Sequence, residues 1–229
     1  MWFPRSAQQE IMDDVSIQDA RLDDALRELA VINARLGGDA TSRKGVRQCL
    51  GRMPARETLS VLDVGAGGAG LLPVIASLHP RIAVTSLDLN LGACRRAAGM
   101  RPSGPVVNGS AFALPFRDRS FDIVHASLFL HHLTERDLGA VLPSLHAIAR
   151  HGVVINDLRR SVVSWIGVAL LTRMFSRSEM IRHDAPLSVR RGFTRGELTR
   201  LCSALASGSF TIQRTWAFRW LVCVIKNHA

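Results

Sequence analysis

The chain has 229 residues, 47% hydrophobic and 21% charged, which is enough for one globular domain with a full core. Its formal net charge is +10, but no run of five or more Lys or Arg occurs, so nucleic acid is an unlikely partner. The four cysteines lie far apart without a C-x-x-C pair, and we predict no metal site and no disulfide framework. The N-terminus lacks the apolar region of a signal peptide, and the longest apolar run, 162–175, is too short to span a membrane. We therefore expect a soluble, cytoplasmic protein.

The hydrophobic pattern predicts two N-terminal helices followed by alternating strands and helices. The N-terminal helices are predicted at 17–35 and at about 41–52. The predicted strands are 59–64, 82–87, 105–107, 121–126, 153–155, 210–216 and 220–225. The predicted helices between them are 69–78, 91–98, 135–149, 161–175 and 194–206.

Apolar strands that alternate with helices indicate a parallel sheet covered on both faces, and a tight turn between the last two strands indicates an antiparallel return. The predicted fold is α/β, a Rossmann-like seven-stranded sheet of five parallel strands plus a C-terminal antiparallel hairpin. Residues 1–53 are predicted to be an N-terminal helical cap and 54–229 the core, with a helical and loop insert at about 158–193. Within that insert, the polar residues 182–193 are predicted to form an irregular loop.

The stretch V61-L-D-V-G-A-G-G-A-G70 follows the first strand and contains the spacing G-x-G-x-x-G. Glycines let the backbone approach a nucleotide closely, and this spacing alone would suggest a dinucleotide. Asp63 would repel a pyrophosphate, however, and would attract the cationic amino group of an amino acid. Asp88, at the end of the second strand, suits ribose hydroxyls in either case. A nicotinamide-dependent oxidoreductase would be expected to carry an apolar residue in place of Asp63.

Four segments together resemble the successive motifs of class I S-adenosylmethionine-dependent methyltransferases, over about residues 55–226. They are V61–G70, T85-S-L-D-L-N90, N108-G-S-A-F-A-L-P-F116 and S120-F-D-I-V-H-A-S-L-F-L-H-H-L133. The resemblance is closest to the branch of ubiquinone- and menaquinone-biosynthesis and small-molecule O-methyltransferases. It implies S-adenosyl-L-methionine as the cofactor.

The resemblance also implies a role for individual residues. Ser110 stands where this branch usually has aspartate, so its contact with the adenine amino group is expected to be weaker or mediated by water. The implied cofactor-binding residues are Asp63, Gly65 and Gly67 at the methionine part, Asp88 at the ribose, Leu89, Ser110 and Ala111 at the adenine, and Ser127 near the sulfur.

A base for the methyl acceptor is expected near the carboxyl ends of the fourth and fifth strands or on the segments that cover them. His131 either faces the acceptor or packs at the start of the next helix. Asp157, with Asn156, either contacts the substrate or turns the chain. His183 in the polar loop is either the base, because the ordinary pKa of histidine suits that role, or a solvated surface side chain. His125, inside the fourth strand, is predicted to be a packed core histidine.

The predicted reaction is O-methylation of a small, largely apolar aromatic, phenolic or quinol acceptor, in a role typical of secondary metabolism. The apolar segment 162–175 is either a core helix or a wall of the acceptor pocket, and its basic flanks suit peripheral contact with an anionic membrane that holds a lipidic acceptor. The N-terminal helices complete the pocket or form a homodimer contact. Two alternatives remain: a binding or regulatory module without acceptor chemistry, and an RNA methyltransferase, although the N-P-P-Y type of motif is missing after strand four.

Overall fold

Seven strands form a single mixed sheet in the computed structural model, which describes residues 3–54, 57–100, 104–205 and 208–226. The strands are β1 (Leu59–Val64), β2 (Ile82–Asp88), β3 (Val106–Asn108), β4 (Phe121–Ser127), β5 (Ala149–Leu158), β6 (Ser209–Thr215) and β7 (Arg219–Ile225). Their spatial order is β3-β2-β1-β4-β5-β7-β6, and β7 runs antiparallel to both of its neighbours. The predicted seven-stranded sheet with a C-terminal antiparallel hairpin is therefore confirmed.

Eight α-helices surround the sheet among the described residues. They are α1 (Ala20–Arg35), α2 (Gly38–Leu50), α3 (Leu72–Ala76), α4 (Leu91–Ala98), α5 (Glu135–Ile148), α6 (Val162–Phe175), α7 (Glu179–Arg191) and α8 (Arg195–Ser203). Successive residues of a strand point to opposite faces of the sheet, and each face is covered by an apolar layer. Leu62 packs in the layer that contains α5 and α8, and Val61 packs in the layer that contains α2 and α3.

Helix α2 lies within the predicted N-terminal cap, but it packs directly on one face of the sheet. Gly45 permits this close packing, because a Cβ atom there would lie 2.4 Å from Val154 Cγ1 and 2.7 Å from Leu221 Cδ1. Val46 and Cys49 are buried in the same apolar layer. The covering role expected of 1–53 therefore falls to α1 and the segment before it, while α2 holds them to the sheet.

The predicted loop at 182–193 is wrong, because most of it belongs to α7. Ser178 caps this helix by accepting a hydrogen bond from Ile181 N, and Pro186 is accommodated inside it. The buried positions 180, 184, 187, 188 and 191 have helical spacing, but three of them are Asp, Ser and Arg. Those polar residues pair with the N-terminal segment, so the buried stripe of α7 is not an apolar one.

Candidate functional site

A cavity of about 610 Å³ opens above the carboxyl ends of β1, β2 and β4, within the size range usual for small-molecule sites. Two ends can be distinguished by their walls. The glycine-loop end is lined by residues that include Asp63, Gly65, Gly67, Asp88, Leu89, Ser110, Ala111 and Phe112. The helical end is lined by residues of α1, α6 and α7, which include Leu29, Ile32, Val168, Leu171, Phe175, Ile181 and Val189.

The glycine loop turns sharply between β1 and the short helix α3. Gly65 has φ +64° and Gly67 has φ +54°, in the left-handed region that favours glycine. A Cβ at Gly65 would lie 2.4 Å from Phe129 Cδ2, so a side chain there would displace the aromatic ring. The helix begins at Leu72, later than the predicted residue 69, because Ala69 itself has a positive φ of 53°.

Asp88 joins the glycine loop to the end of β2. Its carboxylate accepts hydrogen bonds from Gly67 N at 2.7 Å and from Asn90 N at 2.8 Å. Burial raises the pKa of Asp88, while these two N–H donors act in the opposite direction. Each carboxylate oxygen can accept more than one hydrogen bond, so donors such as ribose hydroxyls remain compatible with this arrangement.

Two large apolar side chains at the glycine-loop end face solvent without a protein partner that buries them. Leu89 is 56% exposed and Phe112 is 58% exposed, and both line the cavity next to Ser110 and Ala111. A flat apolar ring system could pack on them, as the resemblance implies for Leu89 and adenine. The sequence interpretation missed Phe112, although its place directly after Ser110 and Ala111 could have indicated it.

A buried chain of polar side chains begins at Asp63 and runs under the cavity. Asp63 Oδ1 lies 2.7 Å from His125 Nδ1, and His125 Nε2 lies 2.9 Å from Ser42 Oγ on α2. Asn156 Nδ2 donates to Ser42 Oγ at 2.9 Å, which leaves the Ser42 hydroxyl free to donate to His125 Nε2. His125 then donates its Nδ1–H to Asp63. His125 is fully buried, as predicted, but it also orients the acid of the glycine loop.

The same chain reaches the helical end through Arg219. Arg219 Nη1 donates to Asn156 Oδ1 at 3.4 Å, and Nη2 donates to Asn33 Oδ1 of α1 at 2.7 Å. Burial lowers the pKa of Arg219 to about 10, although Asp157 and Asp39 act to raise it. This cavity-lining cation, which the sequence interpretation missed, ties α1 to the sheet.

Ser127, Asp63 and Asp88 give the glycine-loop end polar groups that can be compared with those of S-adenosylmethionine. Ser127 Oγ is buried, lines the cavity and makes no hydrogen bond among the described residues. Asp63 and Asp88 supply negative charge for an ammonium group and acceptors for ribose hydroxyls, and the positive φ angles of Gly65 and Gly67 bring backbone close. These features fit the cofactor that the resemblance implies.

His131 and Asp157 form a buried pair at the edge of the cavity. His131 Nδ1 lies 2.7 Å from Asp157 Oδ1, and the carboxylate also accepts hydrogen bonds from His131 N and Leu158 N. Burial opposes the ionisation of Asp157, but the interactions with His131 outweigh it, and the pKa of Asp157 is lowered overall. Asp157 is thus held inside β5 rather than in a turn, and it orients the imidazole, which lines the cavity.

The N-terminal segment covers this pair from the other side. Glu10 Oε1 lies 3.6 Å from His131 Nε2, and Glu10 Oε2 accepts a hydrogen bond from Ser188 of α7 at 2.8 Å. Burial raises the pKa of Glu10 to about 7, although His132 and Arg191 lower it. Arg5 donates to the carbonyl oxygens of His131 and Leu133. The sequence interpretation missed Glu10 because its partners lie far away along the chain.

Glu10, His131 and His132 bring possible metal-ligand atoms within 4.8 Å of one another. A guanidinium already provides positive charge there, because Arg191 Nη1 lies 3.6 Å from Glu10 Oε1 and 2.5 Å from Asp13 Oδ2. His132 Nδ1 is bonded to Asp13 at 2.5 Å as well. The geometry therefore describes a charge network that fastens the N-terminal segment, and Arg191 would repel a second cation.

His183 lies outside the cavity. Its side chain is 45% exposed on α7, and its Nδ1 lies 2.7 Å from Asp184 Oδ1. Asp184 is buried and accepts hydrogen bonds from Ile11 N and Met12 N, so it holds the N-terminal segment. Of the three predicted catalytic residues, the structure brings His131 and Asp157 together beside the cavity and leaves His183 apart from them.

Comparison with known proteins agrees with this geometry. The family described as "Methyltransferase domain" matches residues 61–152. An uncharacterized methyltransferase of Synechocystis is 30% identical over 142 residues, 58% of this chain and 66% of that protein. A demethylmenaquinone methyltransferase of Renibacterium salmoninarum is 34% identical over 118 residues, 51% of this chain and 48% of that protein. The matched part of the chain thus spans somewhat less than two thirds of the length of the first curated relative and about half of the length of the second.

Among solved structures, the plantazolicin methyltransferase BpumL in complex with S-adenosylhomocysteine has a TM-score of 0.68 at 14% identity, over 95% of this chain and 99% of that one. At this identity the likeness concerns the fold. The sheet, the glycine loop and the family match define a class I methyltransferase fold. This chain contains a class I S-adenosylmethionine-dependent methyltransferase domain, and S-adenosylmethionine is the cofactor of that class. The narrower ubiquinone- and menaquinone-biosynthesis branch stays a prediction.

Among the described residues, none of the helices combines the length and the apolar character needed to cross a membrane.

Proposed function

We propose that the protein transfers a methyl group from S-adenosylmethionine to the hydroxyl oxygen of a largely apolar aromatic compound, a phenol or quinol. The His131–Asp157 pair carries this proposal, because a carboxylate-oriented imidazole beside a cofactor-sized cavity is the arrangement of a general base. The apolar walls contributed by α1, α6 and α7 support an apolar acceptor. The cofactor-binding roles of Asp63, Gly65, Gly67, Asp88, Leu89, Ser110, Ala111 and Ser127 are part of the proposal.

In the proposed reaction, Asp157 accepts the Nδ1–H of His131 and so leaves Nε2 unprotonated. His131 Nε2 removes the hydroxyl proton as the acceptor oxygen forms its bond to the methyl carbon. Asp157 then stabilises the imidazolium that results. S-adenosylmethionine supplies a methyl group on a cationic sulfur and leaves as neutral S-adenosylhomocysteine. The protein otherwise holds donor and acceptor in line and excludes water, which is how orientation accelerates a displacement.

Glu10 supports the same step from the Nε2 side of the imidazole, opposite Asp157, so the acceptor hydroxyl would approach Nε2 beside the Glu10 carboxyl group. Its carboxyl group, with a pKa of about 7, faces His131 Nε2 at 3.6 Å, and its protonated form avoids placing an anion against the Nε2 lone pair. When His131 takes up the acceptor proton, release of the Glu10 proton to solvent would leave a carboxylate that stabilises the imidazolium. Glu10 is therefore assigned a positioning role.

The test is release of S-adenosylhomocysteine from S-adenosylmethionine, followed by mass spectrometry with a panel of paired compounds. Each pair consists of an alkylphenol and its own methyl ether, for example 4-nonylphenol and 4-nonylanisole. We expect turnover with members of the phenol set, loss of turnover with the matched ethers, and a new O-methyl group in the product. Turnover only with amines, thiols or carboxylic acids would overturn the proposed acceptor chemistry.

Two rival functions give different results in the same assay. A binding module would bind S-adenosylhomocysteine in isothermal titration without turning over any acceptor. An RNA methyltransferase, suggested only by the net charge of +10, would methylate RNA and would be retained on it in a salt-dependent way.

A further inference from the structure

Helix α6 carries an apolar face that the rest of the described chain does not cover. Its residues Val163, Ile166, Leu170 and Met174 have helical spacing and share this face, and we call them the α6 patch. Val163 is 67% exposed, Leu170 57% and Met174 71%. A contiguous exposed apolar surface of this kind is rare on proteins that do not use it for binding.

The composition of α6 indicates that the helix lacks a partner. Apolar residues occur all around the helix, and such a helix is normally buried on every side. Here only Ser164 and Thr172 are buried, and α7 is the helix against which α6 packs. Phe218, in the turn between β6 and β7, lies beside Gly167, and Trp216 of the same turn is largely exposed. The turn therefore adds an aromatic side chain next to the α6 patch.

Arginines are the charged residues of α6 and its immediate flanks, and acids begin at the junction with α7, where Ser178 N donates to Glu28 and Glu179 starts the next helix. Residues 158–178 contain no Asp or Glu, whereas Arg159, Arg173 and Arg177 flank the helix. Arg173 and Arg177 are exposed, and neither makes an ion pair among the described residues. An apolar helix face bordered by arginines is the pattern of a helix that lies in the surface of an anionic bilayer.

The opposite side of α6 faces the cavity. Val168, Leu171, Thr172 and Phe175 line its helical end. A helix of 14 residues is about 21 Å long, shorter than the roughly 30 Å hydrocarbon core, so α6 would lie in the membrane plane and not cross it.

We infer that the α6 patch docks on an anionic lipid bilayer, so that a lipid-dissolved acceptor enters the cavity past α6 without crossing water. The second part, on the acceptor, rests on the proposed function. Docking of a second copy on the same face is less favoured. A symmetric dimer would place the patch against itself and bring like-charged Arg173 and Arg177 of both copies close together.

The decisive experiment is flotation of the purified full chain with vesicles of phosphatidylcholine, with or without phosphatidylglycerol, in the absence of any acceptor. We expect binding to the phosphatidylglycerol vesicles that weakens with salt. The variant Leu170→Glu/Met174→Glu should lower the partition coefficient more than about tenfold, because two buried apolar side chains are lost from the bilayer. The matched control is Ala140→Glu/Ser144→Glu, which places the same charges at the same spacing on exposed positions of α5 and should bind as the unmodified chain does.

A second variant pair separates charge from apolar contact. Arg173→Ala/Arg177→Ala should reduce binding to phosphatidylglycerol vesicles severalfold and flatten its salt dependence. Arg136→Ala/Arg200→Ala, which removes two exposed arginines of α5 and α8, should leave it unchanged. Thermal unfolding midpoints of all variants check that each one is folded.

Two results would overturn the inference. One is equal vesicle binding by the chain and by Leu170→Glu/Met174→Glu. The other is absence of vesicle binding together with a dimer in analytical ultracentrifugation that the same variant dissociates, which would assign the α6 patch to a second copy. The flotation assay contains no acceptor. Absence of vesicle binding would therefore not contradict the proposed methyl transfer, and absence of methyl transfer would not contradict vesicle binding.

Discussion

The two ends of the cavity are built in different ways. At the glycine-loop end, Asp63, Gly65 and Gly67 follow one another along the chain, and Asp88 accepts a hydrogen bond from Gly67 N. At the helical end, Glu10 meets His131 of another segment and Ser188 of α7. Backbone conformation and strand ends form the first end, whereas long-range side-chain contacts form the second. The geometry of the first end is thus encoded locally, and the geometry of the second depends on how distant segments pack.

The largest effect is expected at the helical end, at the proposed base. His131→Asn should lower kcat for an accepted phenol by about 100- to 10,000-fold, because proton removal is lost, while affinity for S-adenosylhomocysteine is retained. Steady-state kinetics and isothermal titration measure the two quantities. Asp157→Asn should lower kcat as well, because the amide no longer holds the imidazole with Nε2 unprotonated. A normal kcat for the His131→Asn enzyme would show that His131 is not the general base.

At the helical end, Glu10 should make the free energy of unfolding depend on pH. The pKa of Glu10 is about 7 in the folded chain against an ordinary 4.5, so between these values the unfolded chain releases a proton that the folded chain still holds. The free energy of unfolding should therefore fall by about 2–4 kcal/mol as pH rises through this window. Glu10→Gln should lack that contribution, whereas Asp88 and Asp39, whose pKa values are also raised by burial, act in both chains.

Urea unfolding of both chains at pH 4.5 to 8 measures this difference. Asp13 does not interfere, since its pKa is lowered and its contribution is lost only as pH falls below its ordinary 3.8. Parallel pH curves for the two chains would contradict the buried position of Glu10.

At the glycine-loop end, Asp63→Ala should weaken binding of S-adenosylhomocysteine more than about tenfold, because the charged partner of the ammonium group is lost. The matched control is Asp122→Asn, which changes an equally buried acid on β4 that bonds to Ser60 near the amino ends of the strands. It should affect stability but not the affinity. Isothermal titration with both variants distinguishes a local binding role from general destabilisation, and unchanged affinity in Asp63→Ala would contradict the placement of the ammonium group.

The smallest effect is expected at His183, which belongs to neither end. His183→Ala should leave kcat and KM within about twofold of the unmodified enzyme, because a half-exposed side chain outside the cavity contributes little. The same kinetic assay as for His131→Asn measures it. A loss of kcat comparable with that of His131→Asn would show that α7 moves during the reaction and brings this histidine to the acceptor.

The sequence predicted the sheet well because each strand carries its own apolar pattern and its own turn residues. It also located the glycine loop and Asp88, since those residues act from positions fixed by the ends of β1 and β2. It did not identify α7 as a helix, because the buried stripe of α7 contains Asp184, Ser188 and Arg191. Polar residues at buried positions conceal helical periodicity, and only their partners make their burial favourable.

By itself, the sequence determined the α/β fold, the methyltransferase class and the cofactor class. Only the tertiary structure showed where the candidate histidines lie relative to the cavity. It placed His131 against Asp157 and Glu10, and it turned His183 toward solvent on α7. The physical reason is the range of the interactions involved: turns and strand ends depend on neighbouring residues, whereas an oriented buried imidazole depends on contacts across 26 positions to Asp157, and the bond between Glu10 and Ser188 spans 178.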